Sequence, residues 1–138
     1  MDDLEAIRQL KARYFRLLDT QDWGAFRDVF APDLHIEVEH EPPFVFDERD
    51  AYLTALQPIL AGVRTCHHGH TPEITLTAPD RATGVWAMED HVWYPNGATL
   101  HGYGHYHETY AKGDDGAWRI VSLRLTRLWV DQTHPTAG

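Results

Sequence analysis

Basic residues are scarce in this chain. Lysine and arginine number 12 against 21 aspartates and glutamates, giving a formal net charge of -9 with histidine neutral. Nucleic-acid binding runs on neutralising phosphates with Lys and Arg, so no nucleic-acid partner is expected. An anionic membrane surface is disfavoured for the same reason. Cysteine is nearly missing. With Cys66 alone no intrachain disulfide can form, which fits a reducing cytoplasm. No run approaches the roughly 18 apolar residues of a membrane span. The opening residues, Met1-Asp2-Asp3-Leu4-Glu5, carry no basic segment followed by an apolar one, so no secretory signal is expected. Internal repeats, linkers and low-complexity segments are absent. The 138 residues suit one domain, expected over residues 1–131, with a loose tail at 132–138.

What is present is an ordinary globular composition, 43% hydrophobic and 24% charged, which argues against disorder. An acidic domain of this kind suits a catalyst or binder of small molecules. Histidine stands out, with ten copies. It is the side chain that titrates nearest neutrality. Six of the ten fall in two clusters, at 67, 68 and 70 and at 101, 105 and 107.

Leu4, Ile7, Leu10, Tyr14 and Leu17 or Leu18 recur at helical spacing and predict a first helix from about Asp3 to Leu18. Asp22 reads as the N-cap of a short second helix carrying Trp23, Phe26, Val29 and Phe30, which Pro32 ends. Leu34, Ile36 and Val38 alternate with polar residues as a strand, and Phe44-Val45-Phe46 pairs back on it. A third helix runs from Asp50 to about Ala61, stopped by Gly62. Four strand-like runs follow, Arg64 to Thr77, Ala82 to Tyr94, Thr99 to Lys112 and Ala117 to Val130, joined by short polar turns. Segregated helices and an antiparallel meander indicate an α+β fold. A strongly curved, mostly antiparallel sheet under three N-terminal helices would enclose a pocket.

The stretch Tyr14-Phe15-Arg16-Leu17-Leu18-Asp19-Thr20-Gln21-Asp22-Trp23, with Phe30-Ala31-Pro32-Asp33 behind it, resembles the opening of the NTF2-like/SnoaL-like proteins. Gly116-Ala117-Trp118-Arg119-Ile120 is similar to their last strand. The resemblance covers nearly the whole chain and implies the NTF2-like cone. That superfamily hosts several chemistries and non-enzymatic binders, so function must be argued from the site.

Within it the chain looks most like scytalone dehydratase. That enzyme's helix-one Asp sits three residues before an Asp-Trp pair, as Asp19 does before Asp22-Trp23. Its first catalytic His opens the strand after helix three, matching His67. Its second lies late in the next strand, near His91. Matching His91 needs a shift of one residue, so Asp90 stands beside it as the inward-facing alternative. Two further polar pocket positions match His105 and His107. The two tyrosines that hold a water over the substrate carbonyl correspond here to Leu18 and Val38. Val38 also stands where the related ketosteroid isomerases carry their Asp base, which argues against that activity.

Dehydration beside a carbonyl needs an α-proton removed and a leaving hydroxyl protonated. One histidine near neutrality can do both in turn, and a carboxylate on its other ring nitrogen fixes the tautomer. The expectation is His91 as the proton shuttle, Asp19 as its orienting partner and His67 as a second acid or water-holder. Tyr14, Tyr103, His105 or His107 would hydrogen-bond the substrate carbonyl. Trp23, Val38, Trp86 and Met88 are expected to line the pocket.

Blander readings stand beside these. Asp19 could cap the second helix, and His101, His105 and His107 could form an outward-facing ladder on one strand face. A metal site built on His105, His107 and either His67 or Asp19 is the competing chemistry, without HExxH or CxxC spacing to support it. The expectation is therefore a lyase without cofactor or metal, a dehydratase acting on a small cyclic, polyketide- or steroid-like substrate. The alternatives are an isomerase or cyclase in the same pocket, or a binding module without chemistry. The resemblance implies a homodimer or homotrimer built through the outer face of the sheet.

Overall fold

The structure is a computed structural model and describes residues 1–135. Of the tail expected at 132–138, residues 136–138 lie outside the described residues. Helix α1 spans Asp3–Asp19, started by Asp2, whose side chain accepts from the Glu5 N–H. Ile7, Leu10, Lys11, Tyr14, Leu17 and Leu18 form its buried stripe. Helix α2, Trp23–Arg27, is capped by Asp22 as the sequence predicts.

The second helix is shorter than expected. It ends at Arg27, and Pro32 lies inside strand β1, Phe30–Val38. The pairing of β1 shifts between Phe30 and His35, so the missing N–H of Pro32 falls where no regular ladder bond is made. Strand β2, Phe44–Phe46, pairs back antiparallel on β1. Helix α3, Arg49–Leu60, is capped by Glu48, whose carboxylate takes the N–H groups of Asp50 and Ala51. Gly62 follows at φ +75°, a left-handed position that favours glycine.

Four long strands complete the chain: β3 Arg64–Ala78, β4 Arg81–Trp93, β5 Thr99–Lys112 and β6 Trp118–Gln132. The sheet order is β2-β1-β6-β5-β4-β3. Among the described residues only the β1–β6 pair is parallel. At the far end β6 reaches Gln132, and the Thr133 N–H donates to the Thr99 carbonyl, tying these residues to β5.

Parity decides which side chains face the helices. Along β4 the buried residues are Ala82, Gly84, Trp86, Met88, Asp90 and Val92. Along β5 they are Leu100, Gly102, Gly104, Tyr106, Glu108 and Tyr110. Most of this face packs with Ile7, Leu10, Tyr14, Leu17, Leu18, Phe26 and Phe30 into the main core, while Val92 and Leu100 cluster with Val63 at one end. Burying such side chains contributes about 1.5–3 kcal/mol each. Gln21, at φ +56°, fixes the turn after α1. Its side-chain amide donates to the carbonyls of Leu60 and Val63, joining the end of α1 to the start of β3.

Candidate active site

Between the helices and the curved face of the sheet lies a cavity of about 350 Å³. Leu18, Ile36, Val38, Phe44, Leu56, Leu60, Val92, Leu123 and Leu125 make most of its wall apolar. Tyr14, Tyr52, Tyr94, Tyr106, Thr65, His40, His67, Asp90 and Arg127 supply the polar groups. A shallower groove of about 880 Å³ runs outside it past Asp19, Arg64, Trp93 and Pro95. It reaches the carboxylate from behind but holds none of His67, Asp90 and Arg127, so the smaller, more enclosed space is the better site.

Asp19 closes α1 beside the first residues of β3. Three donors hold its carboxylate: the Thr65 hydroxyl at 2.9 Å, the His67 N–H at 2.8 Å and His67 Nδ1 at 2.7 Å. The pair is partly buried, with side-chain exposures of 13% for His67 and 22% for Asp19, which keeps it within reach of both cavity and solvent. With Nδ1 donating to Asp19, the neutral ring carries its lone pair on Nε2. That is the arrangement of a base held in one tautomer.

His67 and Asp90 are cross-strand partners on this face. Asp90 takes a bidentate pair of bonds from Arg127, Nη1 to Oδ1 at 2.7 Å and Nη2 to Oδ2 at 2.9 Å. Burial works against the Arg127 charge, but bonding to Asp90 leaves its pKa above the usual value. Gly102 makes room for this pair, because a Cβ there would land on Arg127 Nη1 and Asp90 Oδ1. Burial pushes the phenols of Tyr14, Tyr52 and Tyr106 well up, so they remain neutral hydrogen-bond donors.

Of the residues singled out from sequence, the structure brings His67, Tyr14 and Val38 to one cavity, and Asp19 stands behind His67, bonded to it but outside the cavity's lining. The structure does not bring His91 there. β3 and β4 pair without a shift from Arg64 to His70, so the parity of Met88, Asp90 and Val92 holds and His91 points outward. There it stacks on Trp93 and His101, with ring centroids 4.6 and 3.9 Å away. The carboxylate partner expected for His91 is bonded to His67 instead.

Tyr103, His105 and His107 also lie on the outer face, since β5 alternates with Tyr106 inward. His107 Nε2 meets the Thr126 hydroxyl at 3.1 Å. The metal set considered from sequence is therefore split across two faces of the sheet. Among the described residues no three His, Cys, Asp or Glu side chains gather as a metal site requires.

Trp23 packs on Phe26 rather than on the cavity. Trp86 lies beneath α1, donating from Nε1 to the Tyr110 hydroxyl at 3.0 Å. Met88 is buried behind the wall, its sulfur 3.9 Å from Arg127 Nη1. Arg127, Tyr106, Tyr52 and Thr65 were not foreseen. Arg127 had a legible signal, because it continues the alternation of Leu123 and Leu125 along β6.

The architecture is an α+β cone whose internal cavity is lined by an imidazole paired to a carboxylate behind it. The SnoaL-like domain family matches residues 1–124, and the chain belongs to that family. A curated relative from Gibberella zeae, "Probable cyclase FGR4", is 27% identical over 136 residues, covering 89% of each chain. Among solved structures, the "Putative Scytalone Dehydratase" of Novosphingobium aromaticivorans superposes with a TM-score of 0.81 at 24% identity, covering 99% of this chain and 91% of that one. The hexachlorocyclohexane dehydrochlorinase LinA-type3 of Novosphingobium barchaimii gives 0.79 at 14% identity, over 94% and 88%. These two likenesses establish the fold. No helix among the described residues is long and apolar enough to cross a membrane.

Proposed function

We propose that the protein is a cofactor-independent lyase that removes water from a small cyclic substrate, with His67 as the base. The observation that carries this reading is the three-bond grip of Thr65 and His67 on Asp19, which leaves His67 Nε2 as the lone-pair nitrogen beside an apolar cavity. His67 Nε2 takes a proton from the carbon next to a carbonyl, and the C–H electron pair becomes an enolate. The enolate expels a β-hydroxyl, which receives the proton from the imidazolium and leaves as water. A conjugated double bond remains. Asp19 stabilises the imidazolium while it exists.

Arg127 is the second charged group of the site. Asp90 takes one N–H from each of its terminal nitrogens and Nη1 also meets the Met88 sulfur, so Nε and the second N–H of Nη2 are left for a substrate oxygen. Two carboxylates against one guanidinium give the resting cavity no surplus positive charge, which favours a neutral substrate. The wall of Leu18, Val38, Val92 and Leu125 suits a ring of polyketide or steroid-like character. Such positioned acid–base groups contribute about 10²–10⁴-fold to rate.

The test is loss of water from a panel of β-hydroxy cyclic ketones, followed by the absorbance of the enone. His67→Ala should fold normally and lose about 10³-fold in turnover. Undiminished turnover in that variant would remove His67 from the mechanism.

A cyclase in the same cavity is the second reading, supported by the name of the Gibberella zeae relative. It would use the same dyad to form an enolate that attacks within the substrate. A binding module without chemistry would suit a cavity filled by tryptophan, but Trp86, Trp93 and Trp118 all lie outside its lining. We further infer that copies of the chain associate through the outer sheet face, where Tyr103, Leu128 and Trp129 are exposed.

A further inference from the structure

Lys11 lies wholly inside the protein. Its Nζ is 2.7 Å from Glu108 Oε2, and neither side chain has any solvent exposure. Glu108 Oε1 accepts from the Tyr110 hydroxyl at 2.7 Å, and that oxygen accepts from Trp86 Nε1. The carboxylate is thus satisfied from the core side. The ammonium faces the other way. It sits 3.6 Å from the ring centroid of Tyr14 and 3.6 Å from that of Tyr106. Both rings line the cavity, whereas Lys11 and Glu108 do not reach it.

A packing role alone is a poor account of this pair. Apolar residues of similar volume in place of a buried ion pair are often neutral or stabilising, and the surrounding core of Ile7, Leu10 and Phe26 is apolar. The geometry comes from two elements. Lys11 and Tyr14 stand one turn apart on α1, while Tyr106 and Glu108 share the inward face of β5.

We propose that Lys11 is a positioning residue whose buried cation, held against the faces of Tyr14 and Tyr106, makes their hydroxyls the donors that stabilise negative charge on the substrate oxygen. The inference rests on the lyase reading for its role in turnover, though not for the binding it predicts. A cation is attracted to the electron-rich face of an aromatic ring, more strongly once desolvated. When a phenol shares its proton with an oxygen gaining charge, its ring gains negative charge and the attraction grows. The stabilisation is therefore larger for the charged state than for the resting one, which is what catalysis requires. It would supply the donor that Leu18 and Val38 cannot.

The experiment compares 4-nitrophenolate with neutral 4-nitrotoluene, titrated into the wild-type protein and into Lys11→Met/Glu108→Gln, which removes both charges at similar volume. The double variant should lose about tenfold in affinity for the phenolate and keep its affinity for nitrotoluene. Equal losses for both probes, or no loss, would overturn the proposal. If that variant does not fold, wild-type protein labelled with ¹³Cζ-tyrosine decides. Phenolate binding must shift the Tyr14 or Tyr106 resonance, and no shift overturns the inference. Turnover by the wild-type protein separates the two proposals. No loss of water from any ketone of the panel, with the phenolate preference still dependent on Lys11, would sink the lyase reading and leave this one standing. Failure of both probes to bind would overturn this one directly.

Discussion

Asp19 is held by one hydroxyl, one backbone N–H and one imidazole, all from the first residues of β3. Replacing it with alanine frees His67 to adopt either tautomer. The expected result is a loss of about 10²–10⁴-fold in turnover, measured on the ketone panel, with little added loss when His67→Ala is combined with it. Gly102→Ala should act differently, because its Cβ would collide with the Asp90–Arg127 pair. Chemical denaturation should report a loss of about 2–4 kcal/mol. An unchanged midpoint would mean that the pair relaxes without cost. The sequence disclosed Asp19 and His67 through spacing and resemblance. It misjudged which histidine meets the carboxylate, because a strand's parity depends on where its pairing shifts. The nearest shift in β3 falls after His70, too late to turn His91 inward.

The helices and hairpins were legible from periodicity and turn residues, and most of their ends fall within a residue or two. Pro32 was misread because a proline that stops a helix can also sit in a strand where the ladder lapses. The β5–β6 turn offers a test of local electrostatics. Asp115 meets Arg119 at 2.7 and 3.1 Å and accepts from the Ala117 N–H. The Arg119 side chain, followed by that backbone bond, pulls the Asp115 pKa from 3.8 down to about 2. A carboxyl whose folded pKa lies below its unfolded value stabilises the fold above the unfolded pKa. That contribution fades as pH falls through about 2. Carboxyl ¹³C titration should place the Asp115 midpoint there, and Arg119→Gln should raise it toward the ordinary value. A midpoint already at the ordinary value in the wild type would show that the turn pairing does not persist in solution.

For the molecule as a whole, the acidic balance, the α+β order and the curved sheet followed from composition and pattern. The cavity's contents did not, because they depend on six strands and two helices whose inward faces meet only after folding. The outer face carries His68, His70, His91, His101, His105 and His107, with Glu89 bonded to His101 at 3.1 Å. Beside them Leu128 and Trp129 are 74% and 62% exposed and form an apolar patch with Tyr103. Sedimentation should find a dimer or trimer, and Trp129→Glu should shift it toward monomer. A monomer in the wild type would remove that face from the account.

The central claim is that His67, held by Asp19, removes a carbon-bound proton from a ligand in the cavity. It is tested most directly by hydrogen–deuterium exchange at the α-carbon of a cyclic ketone that has no leaving hydroxyl, followed by NMR in D₂O. The wild-type protein should accelerate exchange, with Asp19→Ala and His67→Ala both falling to the background rate while still binding the ketone. Exchange that persists in the His67 variant, or none in the wild type with ketone bound, would contradict it.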